Sequence, residues 1–146
     1  MASLLKVDAL TGVTTAGSIS VTGEGNSTTT NLQQGLAKAW ITYGDTASAG
    51  NPAIYDSLNF SSIADNGTGD TTYSYTNNMS VAKGYSISGV FAHSSDITTY
   101  VYQAQPKQDD SVATGTLRIV QVYAGASASG VGDYDYVSNT IHGDLA

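Results

Sequence analysis

More than a third of the chain consists of Ser, Thr and Gly, residues that favour strands, turns and loops over helices. The 146-residue sequence holds 18 Ser, 18 Thr and 16 Gly. Ten of its aromatic residues are Tyr, two are Phe and one is Trp, so most rings carry a polar tip. These proportions argue against a helical bundle and predict short strands joined by turns. The length suits one domain with an extension.

The charge balance argues against nucleic acid and anionic membranes as partners. The chain has twelve Asp and Glu side chains and five Lys and Arg side chains, which gives a net charge of -7. Binding to phosphates requires clustered cations, and five dispersed ones cannot form such a stripe. No window approaches the ~20 apolar residues of a membrane span, and residues 1–15 lack the apolar core of a secretory signal. We expect neither nucleic-acid binding nor membrane insertion.

Residues 1–34 are predicted to be an extended arm used for anchoring and assembly. No aromatic residue occurs in residues 3–34, and the apolar residues come singly or in pairs. Such a segment cannot offset a chain entropy of ~1–2 kcal/mol per residue by itself, so it must order against other chains, including copies of itself. Alternation over residues 18–22 predicts a short strand that needs a partner edge, and residues 30–33 predict one helical turn before Gly35. The apolar residues assigned to assembly are Leu4, Leu5, Val7, Ile19 and Val21.

Residues 35–146 are predicted to form an all-β knob, an antiparallel sandwich or barrel, of which we favour a β-sandwich of the jelly-roll-like kind. Six or seven short alternating segments are separated by turns rich in Gly, Asp, Asn and Pro. Tyr73 and Tyr75 lie on one face of such a segment. Residues 116–123 place Leu117 and Ile119 opposite Val120, which predicts a strand covered on both sides.

The sequence does not predict an enzyme. Residues 93–96 (HSSD) contain the residue types of a nucleophilic triad, but neighbours in one turn point apart, so we interpret them as a surface loop. The Asp residues concentrate in turns, where their hydrogen bonds to the backbone already explain them. We therefore predict no catalytic residue and no cofactor.

Two groups of residues are candidates for binding. Asp65, Asn66 and Asp70 offer oxygen ligands for calcium, although residues 65–70 (DNGTGD) also fit a Gly-rich hairpin turn. The second group is a set of tyrosines whose rings either stack on sugars or serve in the core or an interface. These tyrosines are Tyr100, Tyr102, Tyr134 and Tyr136.

Several stretches taken in order resemble a pattern of tail-fibre-like structural proteins of tailed bacteriophages, notably marine and cyanobacterial ones. They are residues 35–40 (GLAKAW), 54–63 (IYDSLNFSSI), 65–73 (DNGTGDTTY), 78–79 (NM) and the closing 137–144 (VSNTIHGD). The resemblance implies a virion surface component with a β-sandwich knob, usually a homotrimer, with no catalytic residues. Members of this family often carry the knob on a long shaft, whereas only about 34 residues precede it here.

We therefore expect a structural protein on the surface of a phage particle, anchored by its arm to other capsid or tail proteins. A tail-fibre-like appendage and a capsid decoration or head fibre both fit the short arm. A second role in host attachment, through contacts with surface glycans, is a further hypothesis. The alternative is a free carbohydrate-binding β-sandwich module, in which the arm is only a linker.

Overall fold

The chain divides into two compact units. A computed structural model describes residues 4–12, 19–23, 29–45, 51–92, 100–108, 111–125 and 128–146. Contacts between Cα atoms separate an N-terminal unit, Met1–Leu36, from a C-terminal unit, Ala37–Ala146.

The described residues of the N-terminal unit form two three-residue strands and one helical turn. They are β1 (Ser20–Thr22), β2 (Thr29–Asn31) and α1 (Leu32–Gly35). β1 pairs antiparallel with β2, so the strand predicted from the alternation is present, and its partner edge lies in the same unit. The predicted helical turn is also present, and it includes Gly35 instead of ending before it.

The C-terminal unit is all-β, as predicted. Its described residues form nine strands, more than the six or seven expected. The sequence pattern of residues 54–63 showed no clear alternation, yet this stretch contributes to two strands, which are separated by Asn59 at a φ of 62°. The strands are β3 (Ala39–Gly44), β4 (Ala53–Leu58), β5 (Phe60–Asp65), β6 (Asp70–Tyr75), β7 (Ser86–Ala92), β8 (Tyr100–Pro106), β9 (Thr116–Gly125), β10 (Ser129–Val131) and β11 (Tyr136–His142).

These strands form two antiparallel sheets. One sheet has the order β4-β3-β11-β7. The other has the order β10-β9-β6-β5, and β8 also pairs with β9. The hairpins β3–β4, β5–β6 and β8–β9 each stay within one sheet, a connection pattern that differs from the paired Greek keys of a jelly roll.

The core lies between the two sheets and follows the alternation of their central strands. In β9, Leu117, Ile119 and Gln121 are buried, whereas Val120 and Val122 on the opposite side are half-buried. The prediction that this strand is covered on both sides is therefore met fully on one face only. Tyrosines supply much of the buried aromatic surface because the chain has only two Phe and one Trp, and they lie beside buried aliphatic side chains.

A chain of buried side-chain hydrogen bonds joins the two sheets. Asn139 in β11 donates from Nδ2 to the Tyr73 hydroxyl in β6 at 2.9 Å. The Tyr73 hydroxyl donates to that of Tyr43 in β3 at 2.9 Å, and Gln121 in β9 donates from Nε2 to the same Tyr43 oxygen at 3.1 Å. The two tyrosine rings meet edge to face with centroids 5.7 Å apart. Two strands of each sheet thus contribute to one polar chain.

Asp45, directly after β3, ends this chain. Its Oδ2 accepts from Gln121 Nε2 at 2.9 Å and from Thr71 Oγ1 at 3.0 Å. Burial raises the pKa of the Asp45 carboxyl, although both hydrogen bonds favour its ionised form and oppose that shift. The backbone N–H of Asp45 donates to the Tyr134 carbonyl at 2.8 Å, which fixes the strand end that carries the carboxylate.

Replacing Tyr73 with Phe tests the polar chain. The variant leaves the Asn139 amide and the Tyr43 hydroxyl without their shared partner, so we expect a loss of about 1–3 kcal/mol in the free energy of unfolding. The matched control is Tyr75→Phe, because the buried Tyr75 hydroxyl takes no part in this polar chain and none of the described residues meets it with hydrogen-bond geometry. We expect that control to change stability by less than about 0.5 kcal/mol or to increase it. Urea titration measures both, and equal losses would contradict the role of the chain.

Candidate functional site

The described residues of the N-terminal unit include several exposed apolar side chains. Leu4 and Leu5 are each 79% exposed, and Val7 and Val21 are more than half exposed. Ile19 is partly buried, and its carbonyl accepts a hydrogen bond from the Leu32 N–H at 2.9 Å. Among its described residues this unit has none in the buried class. All five residues that the sequence assigned to assembly therefore lie in the described part of this unit, where no side chain is fully buried.

The candidate calcium loop is the turn of the β5–β6 hairpin, as its alternative interpretation predicted. Asp65 Oδ1 accepts from the Gly67 N–H at 2.7 Å, and Asn66 Nδ2 donates to Thr72 Oγ1 at 2.8 Å. Gly67 has a φ of 118°, which a residue with a side chain rarely adopts. The candidate ligands Asp65 and Asn66 are thus engaged in holding the turn.

Asp70, the third candidate ligand, is paired with two cations. Arg118 donates from Nε to Oδ1 and from Nη2 to Oδ2, each at 2.7 Å, and Lys107 Nζ donates to Oδ2. Bidentate pairing with Arg118, assisted by Lys107, holds the Asp70 pKa below its usual range. Within the described ranges no group of three or more His, Asp or Glu side chains is arranged to hold a metal ion.

The same turn docks against β9 through Gly69. The Gly69 N–H donates to Asp133 Oδ1 at 2.6 Å, and its carbonyl accepts from the Gln121 N–H at 2.8 Å. A Cβ on Gly69 would lie 2.8 Å from the Gly132 nitrogen, and the residue has a φ of 63°. This close backbone approach explains a glycine here without invoking a ligand.

The four candidate tyrosines are not equivalent in the structure. Tyr134 is buried, and its ring meets that of Tyr102 edge to face at 5.5 Å. Burial raises the pKa of Tyr134 to about 12. Tyr136 begins β11 and is 44% exposed. The Tyr100 side chain lies outside the described residues, as do residues 93–96. Tyr102 and Tyr134 therefore contribute to the core edge, and Tyr136 belongs to a different surface.

One cleft was not predicted from the sequence. It has a volume of about 350 Å³ and lies beside the start of β7 and the end of β8. Tyr85 is fixed in it by a hydrogen bond from its hydroxyl to the Ala113 carbonyl at 2.9 Å, and Lys83 has a φ of 61°. Its walls combine segments that are far apart in sequence, so no local sequence motif predicts the cleft. The lining residues are Lys83, Tyr85, Ile87, Pro106, Gln108 and Val112.

Comparison of the chain with protein-family models, with curated proteins and with solved structures gives no match. In the described part of the chain, no helix has the length and apolar character needed to cross a membrane.

Replacing Asp70 with Asn tests the ion pairs at the hairpin. Because the folded-state pKa of Asp70 lies below its ordinary value of 3.8, the carboxylate stabilises the fold above that pH and loses this effect as pH falls through the lowered pKa. We expect Asp70→Asn to lose about 1–2 kcal/mol at pH 7, since Lys107 and Arg118 are partly exposed to solvent. The difference from wild type should vanish in strong acid.

The control for this experiment is Asp65→Asn, on the same turn but without a cation partner among the described residues. We expect this variant to lose less than about 1 kcal/mol. Thermal unfolding between pH 2 and pH 7 measures both. A rise in melting temperature with calcium that Asp70→Asn abolishes would contradict the assignment of Asp70 to the ion pairs.

Proposed function

We propose that this chain is a structural component of a bacteriophage virion, held at the particle surface by its N-terminal unit. The C-terminal sandwich then faces solvent, and three copies form the assembled protein. The partners are other capsid or tail proteins. A tail-fibre-like appendage and a capsid decoration or head fibre remain the two forms of this proposal.

The observation that carries the proposal is the exposed apolar surface of the N-terminal unit. Leu4, Leu5 and Val7 lie in an irregular segment, and the only strands of the unit in its described residues are the three-residue β1 and β2. An isolated two-stranded ribbon of this length is marginally stable in water. Apolar side chains on such a segment gain most by insertion into a neighbouring protein, where backbone hydrogen bonds add to the contact.

The stretches that resemble phage proteins also support a structural role. Asn59 makes the turn between β4 and β5 and holds Asn77, whose N–H donates to Asn59 Oδ1 at 2.7 Å. Asp70 and Gly69 hold the next hairpin, and Met79 is 1% exposed in the core. Each of these residues has a structural task in the described fold. A resemblance at residues that hold the fold together is expected of a protein with a structural function.

The alternative function is a free carbohydrate-binding module, and the cleft at Tyr85 favours it. The Tyr85 ring and Pro106 offer apolar surface, and Lys83 and Gln108 offer polar groups, a combination that suits a sugar ring. The same cleft would serve host glycan contacts in a virion protein. Solution mass separates the two functions, since the virion protein is expected at three times 15.0 kDa and the free module at 15.0 kDa.

Deleting residues 2–30 tests the proposed anchoring. We expect the shortened protein to fold but to be missing from particles of the phage that carries the gene, because the anchor is gone. A Leu4→Asp/Leu5→Asp double variant of the full chain should show the same loss through the cost of burying two charges. Thr11→Asp is the matched control, since Thr11 is an exposed polar residue of the same segment. The measurement is copies per purified particle by quantitative mass spectrometry. Full incorporation of the deleted protein would refute the anchoring role.

A further inference from the structure

The outer face of the β4-β3-β11-β7 sheet is almost free of charge. Register places Thr140 of β11 beside Ser88 of β7, and Ser138 beside Val90. Towards the opposite edge of the sheet, on the same face, Trp40 of β3 pairs with Leu58 of β4. Further residues of this face include Thr42, Asp56, Ser86, Tyr136 and His142, the exposed Tyr55 ring lies over Gly44, and Lys38 continues the ladder opposite His142 at one end. Asp56, on the edge strand, is the single acidic side chain among them.

The outer face of the other sheet differs in this respect. It carries the Asp70–Arg118 ion pair, and Lys107 joins Asp70 from the end of β8. The two faces of the sandwich therefore offer different surfaces to a partner, one with fixed charges and one of small hydroxyl and apolar side chains.

The outer face of the β4-β3-β11-β7 sheet also has a shape that can accept a side chain. A shallow depression of about 200 Å³ is lined by Ser88, Gly89, Val90, Ser138 and Thr140. Gly89 is held without a side chain because a Cβ there would collide with the Asn139 amide oxygen beneath. At the opposite margin of the face, Leu58 is 47% exposed, and Val90 beside the depression is 63% exposed.

We propose that this face is the self-association surface of the protein, and that the partner it fits is a second copy of the chain. Leu58 of one copy enters the depression between β7 and β11 of the next. A contact between two different parts of the same face is heterologous, and it closes into a three-membered ring when each copy is rotated by a third of a turn relative to the last. This contact would hold together the homotrimer of the proposed function. The number of copies, three, rests on that proposed function.

The net charge of the protein explains why this face is preferred. Identical chains of charge -7 repel each other, and at physiological salt this repulsion acts over about 8 Å. Contact through a face with one peripheral carboxylate brings few like charges together. Contact through the other sheet would bury the Asp70 cluster and remove it from solvent, which is costly for charges without new partners.

The test places a charge on each side of the proposed contact in the full-length chain. Ser138→Lys fills the depression with a cation, and Leu58→Lys replaces the side chain that enters it. Val101→Lys is the matched control, since Val101 in β8 is 73% exposed and lies on the other sheet. Light scattering after size exclusion, over a range of concentrations, measures the mass. We expect wild type and Val101→Lys at three times 15.0 kDa, and both face variants to dissociate with a rise of about a hundredfold or more in Kd.

Thermal unfolding of each variant verifies that the sandwich is intact, so a lower mass reports association. A wild-type protein that stays at 15.0 kDa, or face variants that associate as wild type does, would overturn the inference. Incorporation into particles is measured separately. A protein that forms trimers through this face but is missing from particles would refute the virion function alone, whereas incorporation of trimeric face variants would refute the face alone.

Discussion

The hydrogen bond between the Tyr73 and Tyr43 hydroxyls is the interaction on which the sandwich depends. In a chain with two Phe and one Trp, most of the buried aromatic rings are tyrosines, which bring hydroxyl groups into the core. The hydroxyls of Tyr43 and Tyr73 are hydrogen-bonded there, whereas the Tyr75 hydroxyl has no partner among the described residues. Here the partners come from the facing sheet, so the polar groups that the composition forces into the core also align the two sheets. Asn139 and Gln121 extend the chain, while one oxygen of each lacks a partner in the described residues, so the chain is only partly satisfied.

The two units differ in whether their described residues form a buried core. In the C-terminal unit, alternating strands bring tyrosines and aliphatic residues together, and long-range hydrogen bonds join strands far apart in sequence. In the N-terminal unit the described residues include neither an aromatic ring nor a buried side chain. Its order comes from one short ribbon and one helical turn. We therefore propose that the C-terminal unit is the rigid part and that the N-terminal unit serves for attachment, with copies of the rigid unit meeting at the weakly charged sheet face.

Local sequence patterns predicted the elements of this fold better than their connections. The alternation around Tyr73 and Tyr75, and the DNGTGD turn, indicated β6 and its hairpin correctly, because backbone preference decides both. The same patterns could not find the polar core. Gln121 interrupts an apolar strand and Asp45 follows a strand end, and their contact spans 76 residues. Burial of a polar side chain depends on a partner from another strand, which alternation does not specify. Arg118, a charged residue within a strand, was the one local indication of the Asp70 cluster.

Hydrogen exchange of the purified full-length protein, away from particles, tests the division into two units most directly. We predict that amides of β3, β6, β9 and β11 exchange only through global unfolding, because the polar chain and the core hold them. Amides of β1 and β2 should exchange within a small factor of the unfolded rate, since little tertiary burial protects them. Protection in β1 and β2 equal to that of the sandwich strands would contradict the account.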